Sequence, residues 1–313
     1  MKYDELCRTL GIKYPILQGG MAWVADADLA SAVSEAGGLG TIAGMSSNGE
    51  QLRAEIKKLK AKTDKPFAVN IMLMSPFVEE VSKVVIEEKV PVVTTGAGNP
   101  VKYMKGWIEA GIKVIPVVSS CALGKMMERN GATALIAEGS EAGGHIGELT
   151  TMTLIPQIVG EVKIPIIAAG GIVDGRSFLS ALVLGAKGIQ MGTRFVASKE
   201  SNVSEEYKER IIKAKDRDTI VTGYRMGHPV RALKSPFTRN LSKAEYDTNK
   251  SLEELEAMGV GALRKAVKEG NVEQGCFMAG ISAGLVNKIE SCDEIIKDMM
   301  SSLKDEIEKV KNW

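Results

Sequence analysis

Only two of the 313 residues are histidines, and one of them stands in an unusual setting. His145 lies in the segment AEGSEAGGHIGELTT, flanked by Gly143, Gly144 and Gly147. Histidine is the side chain best suited to give or take a proton near neutral pH. Its glycine neighbours predict a mobile or tightly turned loop over a site. Glu138 and Glu141 are close by and are able to orient the ring or a ligand hydroxyl; each reads equally well as a loop-stabilising carboxylate. His228 lies in GYRMGHPVRAL, within a stretch from Thr219 to Lys243 that holds no acidic residue. Arg225, Arg231, Lys234, Arg239 and Lys243 make that stretch basic. It reads as a solvated loop or as a docking strip for an anionic partner or a cofactor phosphate. Cys7, Cys121, Cys276 and Cys292 have no metal-binding spacing, so no metal is expected and reduced thiols in a cytoplasmic protein are the simpler reading.

These residues need a frame. Eight short apolar runs begin at Pro15, Gly38, Phe67, Pro91, Lys113, Ala134, Ile164 and Gly188. Their near-continuous apolar character fits parallel strands buried on both faces. Between them lie helical segments. DADLASAVSEAGG and DGRSFLSALVLGAKG each start at an Asp cap and stop at glycine, while SNGEQLRAEIKKLKAKT and SPFVEEVSKVVIEEK are amphipathic. Eight such units predict an α/β protein, a (β/α)8 TIM barrel, in preference to a doubly wound sheet. Residues 1–200 with 276–313 are expected to form the barrel, and 201–275 a small, mainly helical cap inserted before the C-terminal helices. The stretch TIVTGYRMGHPVRALKSPFTRNL reads as irregular, KAEYDTNKSLEELEAMGVGALRKAVKEG as helical, and the segment from Cys276 to Trp313 again as helix.

In such a barrel the site lies at the C-terminal ends of the strands. Glycines stand at six of the eight ends, including Gly19-Gly20, Gly96-Ala97-Gly98, Gly170-Gly171 and Gly192-Thr193. Taken singly, each reads as a tight βα turn. The pair after the seventh and eighth runs is more specific, because barrels often bind a phosphate there. Gly170, Gly171, Gly192 and Thr193 are the expected donors. A flat ring over the mouth would find small or polar neighbours in Gly20, Met21, Asn70, Ala97, Gly98 and Gln190. FMN meets that demand, and a sugar phosphate is not separated from it on composition. Met21, Met72, Met74 and Met191 fall near strand ends and are expected to line an apolar slot, or else to fill core.

The net charge of +1 gives no general case for nucleic acid or an anionic membrane. The N-terminal MKYDELCRTL lacks the apolar stretch of a signal peptide. No apolar run approaches the ~18 residues of a membrane span.

The motifs PILQGGMAWVADADLASAVSEAGGLGTIAG, NIML, TTGAGNP, EGSEAGGHIGELTTMTLIPQ, IIAAGGI and QMGTRF resemble the nitronate monooxygenase-like flavoproteins, which are FMN-binding (β/α)8 barrels. GGHIGELTTMTLIPQ, GHPVRALK and GALRKAVKEGNVEQGCFMAGISAGLVNK are similar to the FMN-dependent enoyl-[acyl-carrier-protein] reductases of the FabK type. The resemblance spans essentially the whole chain. It implies that His145 is catalytic. It implies FMN contacts at Gly20, Met21, Ala22, Asn70, Ala169, Gly170, Gly171, Gln190, Met191, Gly192 and Thr193, to which Ala97, Gly98 and Glu138 are added from their strand-end positions. NAD(P)H as co-substrate, acyl carrier protein as partner, a monovalent cation and a homodimer are also implied. The expected reaction is reduction of a trans-2-enoyl thioester in fatty acid synthesis. Its alternatives are oxidation of alkyl nitronates by O2 and a non-redox phosphate-binding barrel. Many relatives carry Gln where this chain has Ile281, so any contact made by that Gln is not carried over.

Overall fold

The computed structural model describes residues 4–44 and 47–311. Residues 1–3 of the N-terminal segment and 312–313 of the C-terminal stretch therefore lie outside the described residues. The chain begins with α1 (Asp4–Leu10), β1 (Ile16–Gln18), α2 (Ala27–Glu35), β2 (Gly40–Ala43), α3 (Gly49–Lys60) and β3 (Phe67–Met72). It continues through α4 (Val78–Glu87), β4 (Val92–Gly96), α5 (Val101–Glu109), β5 (Lys113–Val118), α6 (Cys121–Arg129) and β6 (Leu135–Glu138). Then come the two-residue β7 (Gly144–His145), α7 (Thr151–Glu161), β8 (Ile166–Ala169), α8 (Gly175–Val183), β9 (Gly188–Met191) and the single turn α9 (Thr193–Val196). The last part holds α10 (Glu205–Lys213), β10 (Thr219–Thr222), β11 (Val230–Leu233), α11 (Pro236–Tyr246), α12 (Leu252–Gly259), α13 (Ala262–Glu269) and α14 (Cys292–Val310).

Eight strands form one parallel sheet in the order β1-β9-β8-β6-β5-β4-β3-β2, with one strand inside each expected apolar run. The sheet closes between β1 and β2. Leu39 N donates to Ile16 O at 2.9 Å and Gln18 N to Leu39 O at 3.0 Å. Beyond that point the buried Gln18 side chain takes over the ladder. Its amide donates to Thr41 O at 2.9 Å and accepts from Thr41 N at 3.2 Å, as a backbone amide would. The protein is a (β/α)8 TIM barrel.

Strands covered on both faces read as unbroken apolar runs, and the core shows why. In β6 and the residue before it, Ala134 and Ile136 point to the barrel interior, while Leu135 and Ala137 face the helices. Leu6 and Leu10 of α1 plug the floor beside Leu17, Leu39, Val92 and Ile167. Asp26 and Asp174 cap α2 and α8 as expected; Asp174 forms a reciprocal box with Ser177. Gly37 and Gly185 follow these helices at φ 93° and 108°, the left-handed conformation that favours glycine.

The segment after the barrel departs from its reading in three places. The stretch read as irregular holds the β10–β11 hairpin, which adds β7 as a third antiparallel strand. The long helical reading breaks into α11, α12 and α13, with Gly261 at φ 73° between the last two, because the left-handed backbone ends one helix before the next begins. The tail from Cys276 is not helical at its start. It runs extended beside the cavity, makes one 3-10 turn at Ile281–Leu285, and becomes helix only at Cys292. Apolar spacing there serves close packing on the site rather than a helix face. The cap elements share a small core of their own, formed by Ala232, Phe237, Leu241, Ala244, Leu255, Ala262 and Cys276. Helix α14 returns to the barrel, where Ile295, Ile296, Met299 and Leu303 are buried against α2 and α8.

Candidate functional site

A cavity of about 400 Å³ opens at the C-terminal ends of the strands. The residues expected to be catalytic or to contact FMN all line it: His145, Gly20, Met21, Ala22, Asn70, Ala97, Gly98, Glu138, Ala169, Gly170, Gly171, Gln190, Met191, Gly192 and Thr193. Of the four slot methionines, Met21, Met72 and Met191 reach the wall, while Met74 is exposed to solvent away from it.

The glycines serve two distinct purposes. Some are required because chain packs on chain. A Cβ on Gly20 would stand 2.2 Å from Asn70 Cβ, and one on Gly143 would stand 2.6 Å from the Ala279 backbone. Asn70 is fixed in turn by its amide, which donates to Thr94 Oγ1 at 3.0 Å. Others border open space. A Cβ on Gly96 would meet nothing within 4 Å, and one on Gly192 would meet just the end of the Met21 side chain, Sδ at 3.5 Å and Cγ at 4.0 Å. Gly170 and Gly171 take φ 90° and 77°, a backbone that turns β8 sharply at the rim. Trp23 and Ala97 share the left-handed region at φ 63° and 52°, which is uncommon for residues with a Cβ and costly for a bulky one.

His145 stands in the short strand β7, just after the left-handed Gly144 at φ 79°, rather than on an unpaired loop. Its backbone pairs with Val230, and Gly144 pairs with Arg231. Ile146 N donates to Pro229 O at 3.1 Å. Arg231 crosses the seam as well, donating from Nε to Ser140 O at 3.1 Å and from Nη1 to Thr219 Oγ1 at 3.2 Å. The β6–α7 segment is thus an edge strand of the cap sheet, which presents the His145 side chain to the cavity. Burial, with a smaller contribution from the charge of His228, holds the His145 imidazole below its ordinary pKa.

Glu141 takes the loop-stabilising role. Its carboxylate accepts from Thr151 N at 2.8 Å and 3.0 Å and from Thr151 Oγ1 at 3.0 Å, at the start of α7. The Thr151 hydroxyl also lies 2.8 Å from Gly170 O, so loop, helix and the β8 turn are tied together. Glu138 has no such partner among the described residues, and burial raises its carboxyl to about 7.

Sequence reasoning missed the outer wall. Tyr207 of α10, Leu263 of α13, and Met278 and Ser282 of the tail all line the cavity. Tyr207 sits on an apolar helix face that reads as ordinary core. Its hydroxyl donates to Met278 O at 2.7 Å and its ring meets Phe277 edge-on at 5.1 Å. Arg194 was also missed. It is buried behind the β9 turn, donating to Val173 O at 3.0 Å, to Glu290 at 2.6 Å and to Asp298 of α14 at 3.1 Å, and so joins α14 to the turns of β8 and β9.

The basic strip is largely occupied. Arg225 donates to the carbonyls of Glu245, Asp247 and Lys250, Arg231 holds the seam, and Lys234 donates to Arg217 O. Arg239 and Lys243, one turn apart on α11, remain exposed.

Among the described residues, no lysine or arginine lines the cavity. An anionic ligand group here would therefore have to be met by backbone N–H dipoles, such as those at the turns of β8 and β9. That donor set, the open space at Gly96 and Gly192, and an apolar slot bordered by Asn70 and Gln190 fit one phosphate and one flat ring. FMN fits these residues. No group of three or more metal-ligating side chains occurs among the described residues. No helix there is long and apolar enough to cross a membrane.

The described architecture has known counterparts. The family model for nitronate monooxygenase matches residues 4–84 and 74–302. A probable nitronate monooxygenase of Staphylococcus saprophyticus is 35% identical, over 90% of this chain and 92% of its own. FabK from Thermotoga maritima superposes with a TM-score of 0.96 at 52% identity, covering 98% of both chains. A nitroalkane oxidase from Streptomyces ansochromogenes gives a TM-score of 0.86 at 25% identity, over 97% of this chain and 99% of its own. The activities named among these matches, a monooxygenase and an oxidase, are those of oxidoreductases. With the barrel, the glycine-lined mouth and the histidine on one seam, this oxidoreductase chain belongs to the nitronate monooxygenase family.

Proposed function

We propose that this protein is an FMN-dependent reductase of trans-2-enoyl thioesters, drawing hydride from NAD(P)H and acting on chains carried by acyl carrier protein. The observation that carries this reading is the likeness to FabK at 52% identity over nearly all of both chains, against 25% to the nitroalkane oxidase. When bound, FMN supplies the hydride chemistry. The protein's own share is to hold, shield and protonate. The Gly170-Gly171 and Gly192-Thr193 turns take the phosphate, and Gly20, Met21, Ala22, Asn70, Ala97, Gly98, Gln190 and Met191 border the ring. Tyr207, Leu263 and Met278 close the outer wall over the acyl chain and keep water from it. His145 delivers the proton to the α-carbon, and residues 201–275 act as the substrate cap.

An acidic carrier protein meets the exposed face of α11, where Arg239 and Lys243 stand together. Reversing both charges weakens use of carrier-bound substrate more than of a short enoyl-CoA; equal losses on both substrates argue against this docking face.

One observation favours a second reading. An imidazole held below its ordinary pKa is mostly neutral at pH 7 and suits a base, the role needed for oxidation of nitronates by O2. The deciding experiment is anaerobic NAD(P)H oxidation by the yellow, as-purified protein with crotonyl-CoA. Consumption of NAD(P)H that depends on the thioester supports enoyl reduction. Nitronate-dependent O2 uptake without NAD(P)H, and no thioester turnover, overturns it.

A further inference from the structure

Glu138 ends β6 with its carboxyl on the cavity wall, beside Ala169 of β8 across the sheet. Its contrast with Glu141, three residues on, is sharp. Glu141 spends its carboxylate on Thr151, whereas Glu138 finds no hydrogen-bond partner among the described residues. The elements around it bring three other titratable groups to the cavity, Glu141, His145 and Tyr207. Glu141 is committed to Thr151, the Tyr207 hydroxyl to Met278 O, and the backbone of His145 to β11. No lysine or arginine of the described residues reaches the wall. An ionised Glu138 would thus be a half-buried anion on the cavity wall with neither donor nor counter-charge, an unfavourable state.

We propose that Glu138 works as a neutral carboxylic acid, donating a hydrogen bond to an acceptor on the flavin ring. The idea rests on the flavin reading given above. A protonated carboxyl has an O–H to give, whereas a carboxylate only accepts. The rim of a flavin is rich in carbonyl and imine acceptors, so a wall without cations needs such a donor. Burial already brings the carboxyl to about 7 before any ligand excludes water from it. A bound ring removes more water, and a phosphate adds negative charge nearby; both act in the same direction.

The sign follows. The neutral form binds flavin better, so affinity is complete at low pH and falls once pH passes the pKa of the ligand-free carboxyl. The test measures the FMN dissociation constant by fluorescence on dilution of the holoprotein, from about pH 6 to about pH 9. For the natural protein the constant should rise by up to about ten-fold per pH unit above neutrality, one proton being linked. Glu138→Gln keeps an N–H donor and cannot ionise, so it should hold the low-pH affinity across the range with this rise removed. Glu138→Ala should be weak throughout, near the high-pH value of the natural protein. A Glu138→Gln profile that rises as the natural one does, or uniformly weak binding by that variant, overturns the proposal. A protein that carries and binds no flavin at any pH removes the flavin reading and this proposal together. Flavin bound with a pH profile indifferent to residue 138 removes only the proposal.

Discussion

The cavity has two unlike walls. The inner wall is barrel, built from strand-end turns whose backbone does the work: Gly20 against Asn70, the positive-φ Gly170-Gly171 pair, and Gly192. The outer wall is cap and tail, built from side chains of β7, α10, α13 and the run through Met278. The first rests on strands buried on both faces and tied into one closed sheet. The second rests on a three-stranded sheet with a small core of its own. On the function proposed above, the cofactor-holding turns therefore belong to the closed barrel sheet. The groups proposed to handle the proton and cover the substrate stand on the seam between two packing units. Changes to the inner wall should cost flavin, and changes to the outer wall should cost turnover with flavin retained.

The largest expected effect tests the outer wall. His145→Ala should keep its flavin and its folded state, yet lose about 10²–10⁴-fold in enoyl turnover, the usual weight of a positioned acid. Full turnover by the flavin-loaded variant, measured by steady-state kinetics, would break the comparison at its centre. Next comes the inner wall. Gly20→Val drives new methyl groups into Asn70, and overpacking of this kind costs about 1–3 kcal/mol, so FMN affinity should fall by roughly 5- to 150-fold. Fluorescence titration measures this; tight flavin with lost turnover would assign Gly20 to the wrong wall.

The smallest effect sharpens the seam. His145 is held low first by burial and then by the charge of His228. As a donor it acts in its protonated form, so enoyl reduction should decline as pH rises through that lowered pKa, below the ordinary imidazole range. His228→Ala removes the smaller cause and leaves burial in place. The decline should then move to slightly higher pH in a kcat/KM profile. A shift to lower pH, or activity that rises with pH, identifies the imidazole as a base and favours nitronate oxidation.

Much of this was legible in the residues. Eight apolar runs, the Asp-to-Gly brackets of α2 and α8, and the strand-end glycines each reflect a local requirement: double-sided burial, an N-cap, a backbone turn. Such requirements act on a few neighbouring residues and leave their mark in residue type. The closure of the barrel through Gln18, by contrast, looks like an ordinary polar residue at a strand end. Its amide completes a ladder with a strand 23 positions away. Tyr207 and Leu263 reach the cavity from helix faces that pattern as core. The basic strip reads as one charged surface, yet three of its five members are taken up by carbonyls.

The EAGGH segment divides in the same way. By itself the sequence determined that a proton-handling side chain sits among glycines after the sixth strand, because that rests on order and residue type alone. Only the tertiary structure decided that Gly144 and His145 form a strand, that Arg231 crosses to Ser140, and that Glu141 ties the loop to α7 while Glu138 finds no partner among the described residues. Those outcomes depend on β11, on α7 and on the tail meeting one loop at once. Hydrogen bonds across 80 or 90 residues of sequence leave no periodicity to read, since backbone donors and acceptors are the same at every position.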